Sequence, residues 1–148
     1  MFTNILVPTD GGPLSRKAAA AAIKLAKQQN ARVTGVFATP VFVSMAFEDL
    51  APPPELISPI EHKKVMNRRA AEVLGTMEKM CISSGVAWEG VHVPDQDPYR
   101  AVINVARRKR CDLVLMASHG RRGIAGLLLG SETQKVLTHS KIPVLVYR

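Results

Sequence analysis

Aromatic side chains are scarce in this chain: one Trp, two Tyr and four Phe among 148 residues. Most stand at core-like positions, so the sequence lacks the stacking platform that single-stranded nucleic acid needs. No helix-turn-helix pattern compensates, and nucleic acid is not the expected partner. Cysteine is scarcer still. Cys81 and Cys111 share no metal-type spacing, which fits two buried thiols in a reduced, cytoplasmic protein. No apolar run approaches the ~18 residues of a transmembrane helix, so no membrane contact is expected. The opening Met1-Phe-Thr-Asn-Ile-Leu-Val-Pro-Thr-Asp10 has no basic start and meets an acid early. It reads as a strand rather than a signal peptide. Acidic residues are also in deficit, 12 against 20 Lys and Arg, for a formal net charge of +8. That surplus permits attraction to anions and establishes none. The densest basic run, Arg107-Arg108-Lys109-Arg110, falls where a helix should end, and cations there complement the carbonyl end of the helix dipole.

What is present is a regular alternation, expected to fold as one domain over residues 1–148. A short apolar run at residues 4–7 leads into Pro8-Thr9-Asp10-Gly11-Gly12, a strand entering a turn. Leu14, Ala18, Ala21, Ala22, Leu25 and Ala26 then recur at helical spacing, and Asn30 ends that helix. Residues 32–38 supply a second strand through Val33, Val36 and Phe37. Residues 39–59 break the rhythm with five prolines (Pro40, Pro52, Pro53, Pro54, Pro59), the mark of a functional or flexible loop. A long helix over residues 59–83 carries Met66, Ala70, Val73, Leu74, Met77 and Cys81 on one face, its methionines read as core filler. Residues 86–93 form a third strand, and the polar Trp88, Glu89 and His92 place it at a sheet edge. Asp97-Pro98 opens the next helix as cap and first residue. Residues 112–116 give a fourth strand, Ser131-x-x-Gln134 a capping box for the last helix, and residues 142–147 a fifth strand.

Strands alternating with helices predict a single open, doubly wound α/β sheet of five parallel strands with helices on both faces, Rossmann-like in plan. Ligands of such sheets bind beyond the carboxyl ends of the strands, where the strand order reverses. Two loops face that place: Pro8 to Gly12, and the glycine-rich stretch after the fourth strand. The second loop begins at Met116-Ala117 and ends in Gly130-Ser131, the start of a helix. Free N–H groups and the dipole at a helix start attract anions, so a phosphate-bearing ligand is the expectation. The final strand points elsewhere. Ile142, Val144, Leu145 and Val146 are apolar on both faces, while Pro143 suits an edge. An uncovered apolar edge invites pairing with another chain, so a homodimer through Ile142 and the residues up to Arg148 is expected.

At this point the residues match a family. Asn4-Ile-Leu-Val-Pro-Thr-Asp10, Asp112-Leu-Val-Leu-Met-Ala-Ser-His-Gly-Arg-Arg-Gly123 and Lys135-Val-Leu-Thr-His-Ser-Lys-Ile-Pro-Val-Leu-Val146 resemble a universal stress protein over nearly the whole chain. The resemblance implies an adenine nucleotide α-hydrolase-like fold and, in one branch of the family, ATP binding through Gly-x2-Gly-x9-Gly-Ser/Thr. Here that register is Ala117-x2-Gly120-x9-Gly130-Ser131, with Ala117 in place of the first glycine. Carried over by position, Pro8, Thr9 and Val36 would border the adenine, and Met116 would count among the nucleotide-binding residues without a particular role. Asp10 would meet the ribose or a phosphate-bound Mg²⁺. Backbone N–H groups around Gly120, Gly130, Ser131 and Glu132, with the Ser131 and Thr133 hydroxyls, would hold the phosphates, Ala117 standing at the first position of the pattern. Independently of the resemblance, Arg121 and Arg122 have the guanidinium chemistry to neutralise phosphates. Asp10 can equally be a turn residue capping the first helix, and the two arginines solvated loop charges.

Two functions stay open on these residues. One is a cytosolic stress-response protein that binds ATP, ADP or AMP with Mg²⁺ and acts as a dimer. The other is a homodimeric interaction module of the same family in which Ala117 marks a lost nucleotide site. An enzyme is not expected, beyond slow incidental ATP hydrolysis. Adenylating relatives use Ser-Gly-Gly-x-Asp-Ser, whereas this chain has Thr9-Asp-Gly-Gly-Pro-Leu-Ser15, and no Walker lysine follows a glycine loop. His119 has no nucleophile elbow beside it and suits anchoring the loop by hydrogen bonding. His62, His92 and His139 are too dispersed to suggest a metal site.

Overall fold

The computed structural model describes residues 1–42, 58–120 and 129–148. Along them run β1 (Asn4–Pro8), α1 (Pro13–Gln29), β2 (Arg32–Thr39), α2 (Pro59–Ser84), β3 (Trp88–Pro94), α3 (Pro98–Arg108), β4 (Leu113–Ala117), α4 (Ser131–His139) and β5 (Val144–Tyr147). The strands are all parallel, in the order β3-β2-β1-β4-β5. From β1 the chain steps outward to β2 and β3, then returns to the other flank of β1 for β4 and β5. This is the expected doubly wound sheet, and the order reverses between β1 and β4. β3 lies at one edge and β5 at the other. Most of the 39–59 loop, with Arg121 and Arg122, lies outside the described residues.

The faces of the sheet are distinct. α1 and α2 cover one, α3 and α4 the other. On the first, Ile5 and Val7 of β1 pack with Ala18, Ala22, Val33, Met77 and Leu115. On the second, Leu6 packs with Val36, Val102, Val105, Val114 and Val136. Period-two alternation of the strands thus feeds two cores, and Ile5, Leu6 and Val7 are wholly buried. Burying a side chain of this size contributes about 1.5–3 kcal/mol. α1 settles close to the sheet because its buried stripe is small: Ala18, Ala19, Ala22, Ile23 and Ala26. That stripe is rotated from the expected one, with Ala19 and Ile23 buried while Ala21 and Leu25 stay half-exposed. Burial pushes the Cys81 and Cys111 thiols up to about 11, leaving both protonated and inert near neutral pH.

Three local expectations are corrected. The last helix is capped by Gly130, with Ser131 its first residue and no side-chain cap, so the Ser131–Gln134 box does not form. Gln134 instead donates to Leu129 O, 3.3 Å away. Asp97 stands at the cap of α3 without bonding a first-turn N–H, because its carboxylate pairs with Arg100. β3 and β5 start two residues late, at Trp88 and Val144. Before β5, Ser140 Oγ donates to Ile142 O at 2.7 Å, in a turn that keeps Ile142 out of the strand.

The amino ends of the strands are closed by polar pairs. Asp112 Oδ2 accepts from Thr3 N and Thr3 Oγ1, each at 2.7 Å, and Oδ1 accepts from Asn4 N at 3.0 Å. Buried Asn4 donates to Lys109 O and accepts from Thr34 Oγ1, both at 2.9 Å. Glu89 binds both Lys109 and Arg32.

Candidate functional site

At the carboxyl ends of the strands, the β1–α1 loop is held by its own short side chains. Thr9 N donates to Val36 O at 3.0 Å, tying the loop to β2. Ser15 Oγ donates to Thr9 Oγ1 at 2.7 Å, and Gly11 N donates to the same oxygen at 3.1 Å. Asp10 does not cap α1, whose cap is Gly12. Its Oδ1 accepts from Gly12 N at 2.8 Å in an Asx-type turn. Its Oδ2 is turned across the crevice, where a Cβ built on Gly120 would stand 2.9 Å away. The Asp10 carboxylate thus stands directly against Gly120, and the two loops meet there.

The β4–α4 loop is closed at its base. Ser118 N donates to Tyr147 O at 2.8 Å, and Gly130 N donates to Ser118 O at 2.7 Å. A Cβ on Gly130 would come within 3.2 Å of His119 Cα and 3.3 Å of Ser118 O. The buried Thr133 hydroxyl donates to both Ala117 O and Ser118 O, each at 3.1 Å. His119 Nδ1 lies 3.2 Å from Ser118 Oγ. These bonds occupy the Gly130 N–H and the Thr133 hydroxyl proton, so the donors left at the start of α4 are the first-turn N–H groups and the exposed Ser131 hydroxyl. Glu132 reaches sideways, accepting from Tyr99 N at 2.8 Å to cap α3, and pairs with Lys135 at 3.0 Å. Ala117 is an ordinary strand residue paired with Tyr147, without positive φ. The backbone at this position makes no demand for glycine.

A cavity of about 760 Å³ opens between the loops. Pro8, Thr9, Asp10, Val36, Met116, Ala117, Gly120, Gly130, Ser131, Glu132 and Thr133 all line it, and Arg121 falls outside the described residues. Sequence reasoning missed Ser15, Ala38, Arg69, Pro98, Tyr99, Val102, His119 and Val136 as lining residues. Val36, Val102, Met116 and Val136 give it an apolar floor continuous with the α3/α4 core. The start of α4 supplies its anion-attracting wall. A recess that is apolar on one side and rich in N–H donors on the other can take a flat heterocycle with a phosphate.

The sequence is matched over residues 1–148 by the universal stress protein family. It is 31% identical to universal stress protein MJ0531 of Methanocaldococcus jannaschii, over 100% of this chain and 83% of that protein. Its fold superposes on the solved structure of MJ0577 from the same organism with a TM-score of 0.82 at 22% identity, covering 99% of this chain and 96% of the other. It is also similar to a universal stress protein solved in complex with cAMP, with a TM-score of 0.72 at 23% identity, covering 99% and 97%.

Proposed function

Because the chain belongs to the universal stress protein family, we propose that its cavity takes ATP or a related adenine nucleotide, and that this cytosolic protein serves a stress response by binding rather than by turnover. One observation carries the reading: an apolar floor and a helix start without a side-chain cap share a single cavity. The cAMP complex of a relative supports the choice of adenine. In this reading the base lies against Pro8, Val36 and Met116. The first phosphate meets the N–H groups of Ser131 and Glu132 and the Ser131 hydroxyl. Asp10 faces the ribose or a Mg²⁺ ion carried by the phosphates, since one carboxylate holds that cation only with help from a nucleotide. The strand geometry of Ala117 supports retention of the site.

Native mass spectrometry of freshly purified protein should show a bound adenine nucleotide. Calorimetric titration with ATP and Mg²⁺ should show saturable heat. Absence of both, in a protein that is still dimeric, would leave the interaction module as the correct reading.

The dimer is the second part of the proposal. β5 stands at the sheet edge beyond β4, and Leu145 on it is 43% exposed. Pairing of residues 142–148 with their copy would continue the sheet and cover that side chain. Leu145→Arg should then convert a dimer to a monomer in sedimentation. An unchanged dimer would place the interface elsewhere.

A further inference from the structure

Resting on the adenine-nucleotide reading, we propose that Arg69 is the residue through which this cavity reads the phosphate tail, so that nucleoside di- and triphosphates bind more tightly than monophosphates. The cavity is divided across the sheet edge. Val36, Val102 and Met116 lie on the α3/α4 side, which is where the base goes. Thr9, Asp10 and Ser15 lie on the α1 side, and Arg69 of α2 joins them in the lining. Its position follows from the helix it stands on. Val73 is packed on Gly11: a Cβ there would meet Val73 Cγ2 at 2.9 Å. Arg69 is four residues earlier, on the same face of α2. α2 runs from the carboxyl ends of the strands toward their amino ends, so one turn earlier is about 5.4 Å further out, over the rim of the β1–α1 loop.

A nucleotide with its base in the apolar recess and its first phosphate at the start of α4 has only its tail left to place, and the rim opposite the recess carries this guanidinium. Among the described residues two acids line the cavity: Glu132 is engaged by Lys135 and Tyr99 N, and Asp10 accepts from Gly12 N. Arg69 is exposed and has no ion-pair or hydrogen-bond partner among the described residues. A planar guanidinium fork matches phosphate oxygens two at a time, which an ammonium cannot do.

The test is calorimetric titration of ATP and AMP into the full chain and into Arg69→Ala, Arg69→Lys and Arg68→Ala. Arg69→Ala should weaken ATP about tenfold while AMP stays within about twofold. Arg69→Lys should recover part of the loss, and Arg68→Ala should change neither. Unliganded melting of Arg69→Ala should match the parent chain, because the side chain is exposed. Equal weakening of ATP and AMP, or an unchanged ATP affinity, would overturn the role of Arg69 and leave the nucleotide site standing. A parent chain that binds neither nucleotide would overturn both.

Discussion

The two ends of the sheet use similar side chains to opposite effect. At the amino ends, Asp112, Asn4, Glu89, Lys109 and Arg32 saturate one another or the nearby backbone. At the carboxyl ends, Thr9, Ser15 and Thr133 brace the loops internally, while the first turn of α4 is left without a side-chain cap. One end converts polar groups into stability. The other withholds them from the fold, and donors left over in a concave place are what a ligand can use. The same contrast appears in the carboxylates. Burial works against ionisation of Asp112, but hydrogen bonds from the Thr3 hydroxyl and from the N–H groups of Asn4 and Thr3 outweigh it and hold the carboxyl below its usual range.

Four changes would break or sharpen this division. Asp112→Ala removes a charged acceptor of three hydrogen bonds and should cost about 2 kcal/mol in urea unfolding, yet leave ATP affinity unchanged. A matching loss of affinity would mean the two ends are coupled. Gly130→Val forces a branched side chain against His119 and Ser118 O. It should weaken ATP at least about tenfold, near 1.4 kcal/mol, in calorimetry. Acid should act on the amino end through Asp112. Because its folded pKa is lowered, its contribution is complete above the unfolded pKa of about 3.9 and is lost as pH falls through the folded value. The stability gap between the parent chain and Asp112→Asn should therefore close in urea melts taken below about pH 4. Ala117→Gly should cost about 0.5–1 kcal/mol of stability and move ATP affinity by less than about twofold. A large gain in affinity would show that the methyl group crowds the ligand.

The order of elements was legible because periodicity records burial: the apolar runs at Asn4, Arg32 and Leu113 became central strands, and the polar Glu89 and His92 marked an edge. Much of the cavity lining was legible too, since a doubly wound sheet delivers its strand ends to one place whatever their separation in sequence. Arg69 and Tyr99 were not. They arrive from helices whose patterns record only which face is buried, and their approach depends on how far each helix overhangs the sheet. The cap of α4 was misread because Ser131 has the favoured side chain, while Gly130 holds the position in a contact with Ser118 and His119 that a Cβ would crowd. The bond from Glu132 to Tyr99 N links residues 33 apart in sequence, and no local pattern announces it.

The short bond from Gly130 N to Ser118 O bears on where α4 begins. It pins the residue just before α4 to the residue just after β4, so the start of the helix is placed by the end of the strand. The N–H groups of the first turn of α4 are thereby held where the strand ends open into the cavity, and their aim is set by the sheet itself.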